Sequence, residues 1–200
     1  MADMNMRRDV ILALIAAVLA LVVMVGGWFL VIAPREAEVA TTLGRGDYTL
    51  QATDGTAFTE ETLEDGPSAV FFGFTHCPEV CPTTLGDIMT WKEELGPDAD
   101  ALRVYFVTVD PERDTSDILG DYVGWAPGVV GVTGSREEID KAIQSFRVFS
   151  SRVPLEGGDY TMDHSAYVLL FNRDGQFSDP IRYQEEADSA LRKLRAVLEG

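Results

Sequence analysis

The chain holds two cysteines, Cys77 and Cys81, and two histidines, His76 and His164. Both cysteines stand in Thr75-His76-Cys77-Pro78-Glu79-Val80-Cys81-Pro82, between an apolar run, Ala69–Phe74, and a helical pattern that begins at Pro82. A strand end leading into a helix puts both sulfurs near the helix N-terminus, whose dipole favours thiolate. Three intervening residues let the two sulfurs converge on one point. Three chemistries suit such a pair. A structural disulfide is permitted in an oxidising compartment, although so short a loop restricts the unfolded chain little. A catalytic dithiol commonly has two residues between its cysteines, where this pair has three. A soft-metal site needs two thiolates for Cu(I), and a third ligand raises affinity and admits Cu(II). Spacing alone does not separate the dithiol from the metal site.

The histidines bear on that choice. His76 adjoins Cys77 at the strand end, where neighbouring side chains point to opposite faces. His164, within Met162-Asp163-His164-Ser165, opens the apolar run Ala166–Phe171. In a thioredoxin-like fold this loop faces the cysteine loop across the sheet edge, where His164 can complete a Cys₂His site; the alternative is a surface or satisfied core histidine. Met162 is a further soft candidate, while Met89 fits the apolar face of the helix after Pro82. Asp163 either orients His164 or is solvated. Asp110, Glu112, Arg113 and Asp114 follow a strand on the same sheet edge, and either support the site or a partner, or pair among themselves as a turn.

The elements that must position these residues alternate. Tyr48–Ala52 and Thr56–Thr59 flank Asp54-Gly55, a hairpin signal. Ala69–Phe74 reads as a strand buried on both faces. Pro82–Leu95 carries Leu85, Ile88, Met89 and Leu95 at helical spacing and stops at Gly96-Pro97. Leu102–Val109 is a second strand, Thr115–Trp125 a helix, and Val129–Thr133 a third strand. Ser135 and Glu138 form a capping box for a helix with Ile139, Ala142, Ile143 and Phe146 on its apolar stripe. Ala166–Phe171 and Gln176–Phe177 flank Asn172-Arg173-Asp174-Gly175, a second hairpin signal. A last helix, about Glu185–Leu198, has acids first and bases last, matching its dipole. Strands separated by helices pair in parallel through crossovers. The expected fold is therefore α/β: a thioredoxin-like mixed central sheet with flanking helices, preceded by one transmembrane helix.

That N-terminal helix is read from Val10–Ala33, 24 residues without a charge. A membrane crossing needs roughly 20 apolar residues, whereas a signal-peptide core has about 7–15. Arg7 and Arg8 precede the run, which puts residues 1–9 in the cytoplasm, 10–33 in the inner membrane and 34–200 in the periplasm. Trp28 falls near the exit interface. Residues 34–46 read as a linker and 47–200 as the folded domain. The whole chain of 200 residues has net charge −17. The first 33 are neutral, so all 31 remaining acids and 14 remaining bases belong to the exported part. This balance argues against nucleic-acid binding, which needs clustered cations, and against peripheral binding to anionic lipid.

The segments VFFGFTHCPEVCPTTL, VYFVTVDPERDT, GVTGS and MDHSAYVLLFNRDG resemble the Sco/SenC family of membrane-anchored copper proteins. The matching segments run from about Phe71 to Gly175, in the family's order and behind a single anchor. The resemblance implies a thioredoxin fold, copper ligands at Cys77, Cys81 and His164, and a role in building the dinuclear copper centre of cytochrome c oxidase. Glu79 departs from the pattern, where the family usually has Asp. The implied partners are the copper-bearing oxidase subunit and a periplasmic copper donor or thioredoxin-like reductant. Two other readings of the cysteine pair stay open: a thiol–disulfide oxidoreductase that reduces that subunit's cysteines, and a copper or redox sensor.

Overall fold

The computed structural model describes residues 2–200, with side chains from Val10 onward except at 29, 31, 33, 34, 36 and 37. Arg7 and Arg8, on which the topology expectation rests, lie outside the described side chains. The chain divides into two compact units between Ala40 and Thr41. The first is helical throughout: α1 (Ala2–Gly27), a π-turn (Trp28–Ile32) and then α2 (Ala33–Thr42), which crosses the boundary. Val10–Gly27 has mean hydropathy 3.0 and none of it is buried, so it is long and apolar enough to cross a membrane. The stretch expected as a linker is thus helical through Thr42.

The second unit is built on a seven-stranded mixed sheet in the order β2-β1-β5-β4-β3-β8-β9. Its strands are β1 (Leu50–Ala52), β2 (Ala57–Phe58), β3 (Ser68–Gly73), β4 (Arg103–Thr108), β5 (Val129–Thr133), β8 (Tyr167–Phe171) and β9 (Phe177–Arg182). β3, β4 and β5 run parallel, joined by crossovers through α3 (Val80–Leu95) and α4 (Ser116–Val123). β1 and β8 add antiparallel pairings at either side. All six residues of β3 are buried, because helices or loops cover both faces. On one face Ala69, Phe71, Phe106 and Leu170 pack against Leu85 and Ile88 of α3 and Leu191 and Leu194 of α6 (Ala187–Glu199). On the other, Phe146, at the end of α5 (Arg136–Ser145), meets Phe72, Phe58 and Phe171. Truncating a buried Phe of this kind costs about 3–5 kcal/mol.

Two local expectations change. The Ser135 hydroxyl accepts from the Glu138 amide at 3.3 Å, but the Glu138 carboxylate does not return to the cap. It accepts instead from Thr49 N–H at 2.6 Å and tethers α5 to the start of β1. The larger correction concerns His164. Ser150–Pro154 (β6) and Tyr160–His164 (β7) form a separate antiparallel ribbon, with Ser150 opposite His164. His164 therefore closes β7 and does not open the next strand. β6 reads Ser-Ser-Arg-Val-Pro and its last four residues are exposed, so it carries no alternation of buried and exposed residues to mark it.

The parallel strands β3 and β4 end side by side, with Gly73 opposite Thr108 and Val109 N–H donating to Gly73 O at 2.8 Å. The cysteine loop and the turn 110–114 thus leave the sheet from the same edge. Ligands gather at such carboxyl ends in open α/β sheets.

Candidate metal centre

Cys81 is the second residue of α3 and fully buried, part of the core beneath the sheet edge. Pro82 follows in the first turn, where its missing N–H removes no helical bond. The first regular bond runs from Thr83 N–H to Glu79 O at 3.1 Å. Gly73 makes room for the sulfur: a Cβ there would lie 2.8 Å from Cys81 Sγ and 2.7 Å from the Phe106 ring. Cys77 is partly exposed on the loop above, its N–H donating to Phe74 O at 3.2 Å. The Cys81 N–H, a free donor of the helix N-terminus, donates to Cys77 Sγ at 3.4 Å.

These contacts split the two thiols. The hydrogen bond from the Cys81 thiol, with smaller help from the backbone N–H groups of Cys81 and Glu79, holds the Cys77 pKa down to about 4 against the effect of burial. The same hydrogen bond and its own burial push Cys81 up. The reduced pair is a thiolate beside a thiol sharing its proton.

His164 completes the group. Its Nε2 lies 3.7 Å from Cys81 Sγ, and the ligand atoms of Cys77, Cys81 and His164 all lie within 4.8 Å of one another. The Nδ1 of His164 lies 3.0 Å from Ser165 O. A carbonyl can only accept, so Nδ1 carries the proton and Nε2 turns its lone pair toward the sulfurs. The ring is packed edge-on against Phe74, with centroids 5.7 Å apart. Among the described residues this is the one group of three or more His, Cys, Asp or Glu side chains able to share a metal ion. Two thiolates and one imidazole fit copper: sulfur suits Cu(I), and the nitrogen accommodates Cu(II). Structural zinc usually takes four protein ligands.

His76 is exposed and its Nδ1 sits 3.1 Å from Thr75 Oγ1, outside the group. Asp163 is exposed, and Ser165 O occupies the partner position at His164 Nδ1 that Asp163 was a candidate to fill. Met162 lines a different cavity, of about 460 Å³, with Arg136 and Arg152. Met89 packs against the core, as its helical spacing required.

Residues 110–114 form an internally paired turn that also reaches the site. Arg113 and Asp114 N–H both donate to Asp110 O, at 3.1 and 3.0 Å. Asp114, fully buried, accepts from Thr75 Oγ1 at 2.6 Å, Thr75 N–H at 3.0 Å and Thr108 Oγ1 at 2.6 Å. Asp110, also fully buried, pairs with Arg113 Nε and accepts from Tyr160 OH at 2.9 Å. Burial and that carboxylate push the Tyr160 pKa up, so the hydroxyl stays a donor. Gly73, Tyr160 and Ser165 escaped the sequence reading. Only Gly73 had left a signal, since a glycine inside a strand often marks a close approach.

The chain's relatives agree with this geometry. It is 33% identical over 160 residues to the mitochondrial protein SCO2 of Saccharomyces cerevisiae, covering 78% of this chain and 53% of that protein. It is 31% identical over 188 residues to a SCO2-like protein of Rickettsia felis, covering 87% and 90%. The chain spans about half the length of most of the mitochondrial relatives it matches. Among solved structures, Bradyrhizobium japonicum ScoI with copper bound superposes with TM-score 0.71 at 40% identity, covering 78% of this chain and 99% of that one. The SCO1/SenC sequence profile matches residues 36–199. With the thioredoxin-like sheet and the Cys–Cys–His group at its edge, this places the chain in the SCO1/SenC family.

Proposed function

We propose that this chain is a singly anchored copper chaperone that takes up one copper ion at Cys77, Cys81 and His164 and passes it to the copper-bearing subunit of cytochrome c oxidase. The observation that carries the reading is the convergence of two sulfurs and a carbonyl-oriented imidazole within 4.8 Å. A dithiol exchanging disulfides needs its two sulfurs and has no use for an imidazole lone pair aimed at them. Uptake of Cu(I) releases the proton that Cys77 and Cys81 share, and leaves both sulfurs as thiolate ligands. Delivery is then ligand exchange onto the acceptor's own donors. In this reading residues 10–33 anchor the chain in the inner membrane, residues 1–9 face the cytoplasm, and 47–200 work in the periplasm. A periplasmic copper donor loads the site.

Titration of the reduced full-length chain with Cu(I) should saturate at one ion per chain. Replacement of His164 by Ala should weaken copper binding, most for Cu(II), and impair oxidase maturation at limiting copper. Excess copper should restore it. Normal maturation with His164→Ala at limiting copper would defeat the chaperone reading. Protease should reach residues 47–200 from the periplasmic face alone, and digestion from the cytoplasmic face would defeat the topology.

One observation favours a second reading. A thiolate at Cys77, partly exposed and hydrogen-bonded to a buried thiol, is arranged as the attacking pair of a dithiol reductase. Cys77 would attack a partner disulfide, and Cys81 would release the mixed disulfide. The Cys77–Cys81 disulfide forms as two electrons and the pair's one proton pass to the partner's cysteines, which leave as a thiol and a thiolate that takes its proton from water. A partner subunit reduced by the His164→Ala chain as fast as by the parent would favour it.

A further inference from the structure

The two halves of the centre are anchored differently. Cys81 belongs to the core, but β7, which carries His164, has no ladder to the seven-stranded sheet. Its ribbon partner β6 is mostly exposed. Something must set the distance between His164 and the sulfurs, and the turn 110–114 touches both sides. Asp114 binds Thr75, two residues before Cys77, through both the amide and the hydroxyl. Asp110 binds Tyr160, which lies on β7 four residues before His164 and so on the same strand face. Arg113 reinforces that hold: its Nη1 donates to Tyr160 O at 3.0 Å and its guanidinium lies 3.8 Å above the Tyr160 ring. Arg152 of β6 lies 3.9 Å from the same ring.

We propose that Asp110 and Asp114 are positioning residues that set the sulfur–imidazole spacing of the copper site, Asp114 through the cysteine loop and Asp110, with Arg113, through Tyr160 and the ribbon. The proposal rests on the copper reading above. Neither carboxylate is a ligand. Both are fully buried with several donors each, so neither can shift without leaving a buried polar group unpaired. The turn is stiff because its backbone bonds and side-chain bonds close on themselves. A loose ribbon would let the imidazole swing away while the sulfurs kept their places. Loss of Asp110 or of the Tyr160 hydroxyl should therefore harm nitrogen ligation and spare thiol chemistry.

The test uses the full chain in detergent, reduced and metal-free, then loaded with Cu(II) alone. Electron paramagnetic resonance reads the histidine nitrogen coupling, competition titration the affinity, and thiol–disulfide equilibration the Cys77–Cys81 potential. Asp110→Asn and Tyr160→Phe should each lower Cu(II) affinity about tenfold or more and weaken the nitrogen coupling. Their reduction potential should move by less than about 30 mV, the equivalent of a tenfold change. Thr75→Val should do the reverse, shifting the potential and the Cys77 alkylation rate with the nitrogen coupling retained. Where Asp110→Asn fails to fold, Tyr160→Phe still decides, because it removes one hydroxyl and keeps the ring between Arg113 and Arg152. A folded Tyr160→Phe chain with parental Cu(II) affinity and coupling overturns the proposal alone. So does one whose thiol potential moves by more than the affinity does. A parental chain with no histidine nitrogen on copper overturns the copper reading and the proposal together.

Discussion

Cys81 sits in the first turn of α3, sealed against Gly73 and Phe106, while His164 ends a two-stranded ribbon whose first strand leaves Val153 exposed. Cys81 is built into the same contacts that hold the domain together, so disturbing it costs stability as well as binding. The imidazole side is an attachment, held by the Phe71 and Phe74 rings, one carbonyl and the Asp110–Tyr160 link. Under the proposed function such a division suits a carrier. A fixed pair of sulfurs retains Cu(I), and a ligand on a separable strand can leave first when the ion is handed over.

The comparison breaks first at the sulfurs. Cys77→Ser or Cys81→Ser should abolish tight copper binding, since one thiolate and one imidazole leave the ion under-coordinated. Cys81→Ser should also destabilise the fold by about 1–3 kcal/mol, because a hydroxyl replaces a buried thiol in an apolar setting. Cys77→Ser, on the partly exposed loop, should leave the unfolding midpoint nearly unchanged. Equal thermal losses in the two variants would contradict the idea that only one sulfur belongs to the core.

Gly73→Ala sharpens the same contrast. The added methyl meets the Phe106 ring and Cys81 Sγ at under 3 Å, so the sulfur or the ring must move. The expected cost is about 1–3 kcal/mol of stability, with weaker Cu(I) binding although every ligand is retained. Denaturant unfolding and copper competition read the two effects, and a parental affinity would show that the sulfur position is not constrained from below.

These two cases also show what the sequence could reveal. The cysteine half was legible because its signals are local: an apolar run, Cys-x-x-x-Cys and Pro82 at a helix start all lie within 14 residues. The parallel strands were legible for the same reason, since β3 falls in a continuous apolar run and β4 in a stretch rich in β-branched and aromatic residues. The ribbon was not, because a solvent-exposed strand such as Ser150–Pro154 has no buried face to impose a pattern. Asp110 and Asp114 were visible as candidates, but their roles depend on Thr75 and Tyr160. Those lie 39 residues before Asp114 and 50 after Asp110 in sequence, and no local spacing brings them together.

A smaller effect tests the thiolate assignment. With its pKa held down to about 4, Cys77 should remain a thiolate as pH falls from 9 to about 5, so its alkylation rate should stay nearly flat. The rate should then fall as pH drops through about 4. An ordinary thiol, with a pKa of about 8.5, would lose about tenfold per pH unit over the same range. Cys81, whose pKa is raised, should react far more slowly throughout. A Cys77 profile with a midpoint near 8 would contradict the hydrogen-bonded pair.

The smallest expected effect is at His76. It is exposed and contacts only its neighbour's hydroxyl among the described interactions, so His76→Ala should change stability by less than about 0.5 kcal/mol. Copper affinity should be unchanged, in contrast with His164→Ala. A comparable loss in the two variants would break the assignment of a single histidine ligand.

The central claim is that one copper ion is held by Cys77, Cys81 and His164, and X-ray absorption on the copper-loaded chain tests it most directly. Cu(I)-loaded parental protein should show two sulfur neighbours and one nitrogen, with His164→Ala losing the nitrogen and keeping both sulfurs. An all-sulfur shell in the parental chain, or a nitrogen that survives His164→Ala, would contradict it.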